Sequence, residues 1–244
     1  MVVYITMSAY NEEKSIPHLF DKIIDLLKNF SYPIKVIFVD DGSSDKTLEV
    51  AQSYKNKLPI EIVSHGKNRG LGEGIKTTIK KTLELASESD VMITMDADDT
   101  HHPQYIIPMV KRIEEGADIV IASRFRKGSK QIGVPFFRQV ISLVARLLFK
   151  LKLNVKGVRD YTCGFRAFRV GIVKKAYQKF GDDIITKEGF ACTDELLINL
   201  CEITKNISEI PFTLHYDWKE STSKLQFWKT VKSSLMLLFK SKNR

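Results

Sequence analysis

The chain has 244 residues, 43% of them hydrophobic, enough for one large core but short for two independent domains. Its net charge of +9 is confined to two segments, since residues 124–156 hold nine basic residues and 223–244 six, with no acid in either. Both segments are rich in large apolar side chains, a pattern that suits an anionic lipid surface and argues against nucleic acid as partner.

An apolar run at residues 2–8 reads as a buried strand, and from Ile16 the apolar residues Leu19, Phe20, Ile23, Leu27 and Phe30 recur at helical spacing. A second strand over 34–39 ends in Asp40, Asp41, Gly42, Ser43 and Ser44, where a turn leads into a helix through Thr47, Val50 and Tyr54. A third strand falls at 60–64, a helix at about 72–87, a fourth strand at 91–95, a helix after Pro103 and a fifth strand at 118–122. Residues 134–153 form an amphipathic region, followed by a loop-rich stretch, a strand at 207–214 and a basic amphipathic tail. Strands apolar throughout and alternating with helices predict an α/β fold with a mostly parallel sheet, helices on both faces and ligands beyond the carboxyl ends of the strands. The expected organisation is one domain over 1–215 and a basic extension over 216–244. No run approaches the roughly eighteen apolar residues a spanning helix needs, and no signal peptide is expected. Cys163, Cys192 and Cys201 fit no paired metal spacing and are expected as buried thiols in a reducing cytoplasm.

Three strand ends are acidic. Met95-Asp96-Ala97-Asp98-Asp99 places two carboxylates one residue apart, able to turn toward one hard cation that bridges a nucleotide diphosphate; the alternative is a solvated turn capping the following helix. Ser8-Ala9-Tyr10-Asn11-Glu12-Glu13 offers a ring and a carboxylate to a base and ribose, and Val39-Asp40-Asp41-Gly42-Ser43 offers carboxylates and a tight turn, although each also suits helix capping. His101 and His102 are expected in the helix-entry turn before Pro103 rather than on a metal. The glycines of NRGLGEG at 68–74 follow the third strand, not the first, and read as the turn that opens a helix.

With AYNEE at 9–13, VDDGSSDKT at 39–47, NRGLGEG at 68–74, MDADD at 95–99, ASRF at 122–125, DYTCGFRAF at 160–168 and SKL at 223–225, the chain resembles the inverting glycosyltransferases of the GT-A fold, in the group that includes dolichyl-phosphate mannose synthases. The resemblance implies that Tyr10, Glu12, Val39 and Asp41 hold a nucleotide, that Asp96, Ala97 and Asp98 line the diphosphate and a metal, Mg2+ or Mn2+, and that Arg124 and Lys224 contact donor phosphates. It also implies a nucleotide-sugar donor (GDP- or UDP-hexose) and a polyprenyl-phosphate acceptor. Arg138 and Ser142, four apart on one helical face, match a pair that holds the acceptor phosphate in the lipid-phosphate branch; Arg138 could equally snorkel from an amphipathic helix. The expected location is the cytoplasmic, inner face of a membrane. A hydroxyl acceptor would need a base, with Asp194 or Glu195 as candidates. The chain departs from the pattern at Ser8, where proline is common, at Thr100, where glutamine is common, and at Trp218, where an arginine touches donor phosphate; there Lys219 is the nearest substitute. A silent nucleotide-sugar-binding subunit is the reading Trp218 would favour, and the intact acidic cluster weighs against it.

Overall fold

The computed structural model describes residues 1–153 and 155–219. Its principal sheet has seven strands: β1 (Val3–Ala9), β2 (Ile34–Asp40), β3 (Ile60–Ser64), β4 (Val91–Thr94), β5 (Ile119–Ser123), β7 (Arg166–Arg169) and β8 (Ile207–Pro211), in the order β3-β2-β1-β4-β7-β5-β8. A two-stranded ribbon pairs β6 (Lys130–Ile132) with β9 (Thr213–His215). The helices are α1 (Ser15–Asn29), α2 (Thr47–Ser53), α3 (Leu71–Leu85), α4 (Ile106–Glu114), α5 (Phe136–Leu153), α6 (Val170–Phe180) and α7 (Ala191–Cys201). The fold is the expected mostly parallel α/β type. Only β7 runs against its neighbours β4 and β5.

Burial explains why the parallel strands read as unbroken apolar runs. Val3, Ile5, Val36, Ile37, Phe38, Val39, Val91 and Ile93 are all fully covered, because strands flanked by helices have no wet face. The order reverses direction between β1 and β4, which opens a crevice beyond their carboxyl ends. Both strands discharge there into acidic loops. Two glycines let α3 lie close: a Cβ on Gly74 would fall 2.0 Å from Ser8 Oγ, and one on Gly72 would fall 2.8 Å from the Lys187 carbonyl oxygen. A proline at position 8 would lack that hydroxyl, and Ser8 and Gly74 fit as a pair. The helix ends at Leu85, two residues earlier than the pattern suggests, because Asp90 accepts hydrogen bonds from the Ser87 N–H (2.8 Å) and the Val2 N–H (2.7 Å) and fixes a turn there.

Four elements depart from the expectation. The stretch read as loop contains β7, α6 and α7. The expected strand at 207–214 breaks at Phe212 into β8 in the main sheet and β9 in the ribbon. Pro211 closes β8, an edge strand where a missing N–H is tolerated. All three cysteines are free and buried, as expected. Among the described residues no helix is long and apolar enough to cross a membrane. Of the 216–244 extension, only the single turn Tyr216–Trp218 and Lys219 lie within the described residues, and the basic tail and Lys224 lie outside them.

Candidate active site

The loops after β1 and β2 are laced together. Asn11 takes a left-handed φ of 54°, donates its N–H to Ser43 Oγ (3.0 Å) and accepts the Ser44 N–H on its side-chain oxygen (2.8 Å). Glu12 is buried, donates its N–H to Thr47 Oγ1 (2.7 Å) and accepts the Ser15 hydroxyl (3.0 Å). Tyr10 stands half-buried beside them, and Val39 is fully covered in β2. Asp41 is buried with both oxygens engaged: Oδ1 meets His65 Nδ1 (2.7 Å) and the Arg69 N–H (3.0 Å), and Oδ2 accepts the Gly70 N–H (2.9 Å). It therefore braces the loop that opens α3. His65, which nothing in the sequence pattern singled out, completes the brace through Thr77 Oγ1 at 2.9 Å. Gly42 has φ 70° and lies so close to the Lys67 backbone that a Cβ would sit 2.2 Å from its carbonyl carbon.

The acidic loop after β4 is shaped by its own side chains. The Asp96 N–H donates to His101 Nδ1 (3.2 Å), so a neutral His101 carries its proton on Nε2, 3.8 Å from Asp96 Oδ2. The imidazole is buried, stacked on Phe165 at 5.0 Å between ring centres and 12° between planes. His101 orients Asp96, and His102 caps the turn at Pro103 by accepting the Gln104 N–H (3.1 Å), in line with the expected entry turn. Asp98 Oδ1 accepts the Thr100 hydroxyl (2.6 Å), and its Oδ2 is paired with the Lys219 ammonium. Asp99, at φ 62°, turns to Lys22 on α1 (2.7 Å). Although the Asp96 side chain is partly exposed, desolvation by the protein around its carboxyl, together with the neighbouring Asp98, pushes that carboxyl above the usual range against the pull of His101, Lys219 and Arg124. Burial acts on Asp98 in the same sense, yet Lys219 and Thr100 hold its carboxyl below that range. Ala97 is buried between the two. Glu12, Asp96, Asp98, Arg124 and Lys219 thus share one electrostatic neighbourhood.

Arg124 leaves the end of β5 and is locked by Asp160. Its Nε and Nη2 donate to the two carboxylate oxygens at 2.8 and 2.7 Å, its N–H donates at 2.9 Å, and Nη2 also reaches Thr162 Oγ1 at 2.6 Å. Asp160 was not picked out individually from the sequence. The signal was present: it is the first acid after the acid-free stretch that holds Arg124. Glu195 lies buried on α7, its oxygens accepting the Thr186 N–H (2.6 Å), the Thr186 hydroxyl (2.7 Å) and the Lys187 N–H (2.8 Å). Asp194 beside it is buried and within electrostatic reach of Arg124 and Arg166. A cavity of about 30 Å³ lies behind Asp96, reached by Ser8, Thr94, Arg166 and Thr193.

Arg138 and Ser142 sit one turn apart on α5, both half-buried. The Arg138 guanidinium lies 5.2 Å from the ring centre of Tyr216, and Tyr216 opens the turn that delivers Lys219 to Asp98. The other side of α5 is apolar and open, with Phe136 80%, Leu147 58% and Leu151 75% exposed.

Among the described residues no group of three or more His, Cys, Asp or Glu gathers as a metal cage. The donor set fits a hard divalent ion of the kind that takes one or two carboxylates and completes its shell with substrate phosphate and water. Asp98 Oδ2 already rests on a cation, and the Asp96 side chain is 36% exposed.

The fold has counterparts among solved structures. The crystal structure of glucosyl-3-phosphoglycerate synthase from Mycobacterium tuberculosis in complex with Mn2+, UDP and phosphoglyceric acid superposes with a TM-score of 0.67 over 97% of this chain and 78% of that one, at 17% identity. S. aureus TarS in complex with UDP-GlcNAc gives 0.61 over 91% and 60%, at 20% identity. These likenesses establish the GT-A type of fold. The chain belongs to Glycosyl transferase family 2, whose profile matches residues 4–176. It is 31% identical over 87% of its length to the dolichol-phosphate mannosyltransferase of Pyrococcus furiosus, and spans 56% of that relative's length. It is 28% identical to the UDP-N-acetylglucosamine--dolichyl-phosphate N-acetylglucosaminyltransferase of Methanococcus voltae, over 88% of this chain and 86% of that one. To the undecaprenyl-phosphate 4-deoxy-4-formamido-L-arabinose transferase of Yersinia enterocolitica it is 31% identical, over 70% and 50%.

Proposed function

We propose that this chain transfers a hexose, with inversion, from a GDP- or UDP-hexose to a polyprenyl phosphate at the cytoplasmic face of a membrane. One observation carries the reading: a single short turn joins an open apolar helix to the acidic strand ends. Arg138 on α5 rests against Tyr216, and three residues on, Lys219 rests against Asp98. Relatives named for dolichyl- and undecaprenyl-phosphate support the acceptor class.

In this reading Tyr10, Glu12 and Val39 receive base and ribose, and Asp41 acts by holding the 65–70 loop in place. Asp96 and Asp98, with Ala97 between them, face the diphosphate. Asp96 and Asp98 would hold Mg2+ or Mn2+, which would supply positive charge to stabilise the departing nucleotide. Arg124, kept charged by Asp160, adds a fixed positive field, and Lys224 is assigned to the same phosphates. A phosphate monoester is already ionised at neutral pH, so the attacking oxygen needs a cation to place it and no base to deprotonate it. Arg138 and Ser142 supply that placement. Glu195, whose oxygens accept from Thr186 and Lys187, holds the approach to α7, and this reading asks no proton transfer of it. The exposed stripe Phe136, Val140, Leu143, Leu147 and Leu151 enters the headgroup layer, where a lipid phosphate is met.

Steady-state kinetics with acceptor varied at saturating donor test the proposal. Arg138→Ala is expected to weaken acceptor use by about 1.5–3 kcal/mol, the worth of a lost charge-assisted contact, with donor use nearly unchanged. Asp194→Asn and Glu195→Gln are expected to be milder. A collapse of turnover in an acid variant beside a wild-type-like Arg138→Ala would transfer the reading to a sugar-hydroxyl acceptor.

A further inference from the structure

Two adjacent carboxylates in the acidic loop each hold a lysine from a distant part of the chain, and the two pairs differ in kind. Asp99 is turned away by its φ of 62° and pairs with Lys22 on α1. That same ammonium lies 3.9 Å from the ring centre of Trp218, whose indole stacks on His215 at 3.7 Å and 10°. The Lys22–Asp99 pair therefore anchors the turn Tyr216–Trp218. Gly133 presses on its other side, since a Cβ there would fall 2.7 Å from the Asp217 nitrogen. Trp218, the departure from the family's arginine, is thus committed to packing.

The residue that the anchored turn presents is Lys219. Its ammonium pairs with Asp98 Oδ2, and both side chains are 14% exposed. It is also within electrostatic reach of Asp96 and Glu12. It occupies the carboxylate oxygen on which a divalent ion would rest, so an ion arriving alone must first displace a buried counter-charge. The displaced ammonium stays tethered within a side-chain length of the same carboxylates, where a diphosphate would offer it new oxygens. We infer that Lys219 is a donor-phosphate-binding residue held in reserve on Asp98: metal and nucleotide diphosphate load together, and Lys219 passes from the carboxylate to the phosphate as they do. This rests on the nucleotide-diphosphate and metal reading of the site given above. The consequence is reciprocal coupling, each ligand tightening the other, with binding of metal alone suppressed.

The test measures two affinities in wild type, Lys219→Met, Lys219→Arg and Asp98→Asn, with folding checked by circular dichroism. Free Mn2+ is followed by electron paramagnetic resonance with protein alone, and labelled GDP and UDP by equilibrium dialysis at saturating Mn2+. Removing the ammonium is expected to tighten Mn2+ binding about tenfold and to weaken binding of the accepted nucleotide about tenfold or more, a scale set by charge-assisted contacts. Lys219→Arg is expected to keep most nucleotide affinity. Opposite signs in one variant are not a signature of general damage. Unchanged or weaker Mn2+ binding in Lys219→Met, or unchanged nucleotide binding, overturns the inference while Asp98→Asn still loses Mn2+. If wild type binds neither nucleotide with Mn2+, the site reading itself falls and takes the inference with it.

Discussion

Replacing Asp160 by asparagine removes the counter-charge of Arg124 without changing the size of the side chain. The carboxylate is fully buried and accepts from Arg124 Nε, Nη2 and N–H, with longer bonds from the Thr162 N–H (3.3 Å) and Cys163 N–H (3.2 Å). An amide presents a donor where one of these oxygens accepted, and leaves a guanidinium only 13% exposed without the carboxylate that grips it. Breaking a buried pair in this way costs about 3–5 kcal/mol. That is a large share of the roughly 5–15 kcal/mol by which a domain is stable. Urea unfolding followed by circular dichroism should show the free energy of unfolding falling by this amount, and Arg124→Met with Asp160→Asn should recover much of the loss. Acid adds a second readout. Burial opposes ionisation of Asp160, but Arg124 and the backbone N–H groups hold its carboxyl below the ordinary 3.8. A group with a depressed folded value contributes stability in full above its unfolded value and loses it as pH falls through the folded one. Wild type should therefore lose stability below about pH 4 more steeply than Asp160→Asn. A loss under about 1 kcal/mol at neutral pH, the scale of a surface pair, would refute the account of how Arg124 is held.

Asp98→Ala should keep the fold and lose most turnover, and full activity in that variant or in excess chelator would end the metal-dependent reading. Gly42→Ala should lose stability by more than the roughly 1–3 kcal/mol of backbone strain at its positive φ, because the new Cβ also meets the Lys67 backbone; thermal unfolding checks this. Leu143→Ser with Leu147→Ser should weaken co-flotation with anionic vesicles about tenfold or more, given about 1.5–3 kcal/mol per buried leucine. Salt should weaken wild-type binding without abolishing it, and indifference to vesicles of either charge would show that α5 packs elsewhere.

The first half of the fold was legible because its central strands β1, β2 and β4 are covered on both faces and its helices on one, so apolar runs and 3.6-residue periodicity alternate visibly. The later elements hid for the converse reasons. Every residue of α7 is buried, so no polar face marks a period. Four residues that begin and end on arginine, the first of them buried on the Thr193 and Tyr161 carbonyl oxygens, look like a surface turn and are β7. At the site, Asp96 and Asp98 stood out as neighbours in sequence, whereas the partners that set their charge are remote. Lys219 lies 121 residues from Asp98, and Lys22 lies 77 from Asp99. Asp41 and Glu195 were legible as acids near a site, whereas their second task is visible only in their hydrogen bonds: Asp41 holds the Arg69 and Gly70 N–H groups, and Glu195 holds those of Thr186 and Lys187.

Transfer of a hexose to a lipid phosphate is measured with a panel of labelled nucleotide-sugars incubated with short polyprenyl phosphates and Mg2+ or Mn2+. Transfer to the lipid should give organic-extractable label that requires the polyprenyl phosphate, disappears with chelator and is lost in Asp98→Ala. Label that remains water-soluble on a carbohydrate acceptor, or organic label that persists in Asp98→Ala, would contradict it.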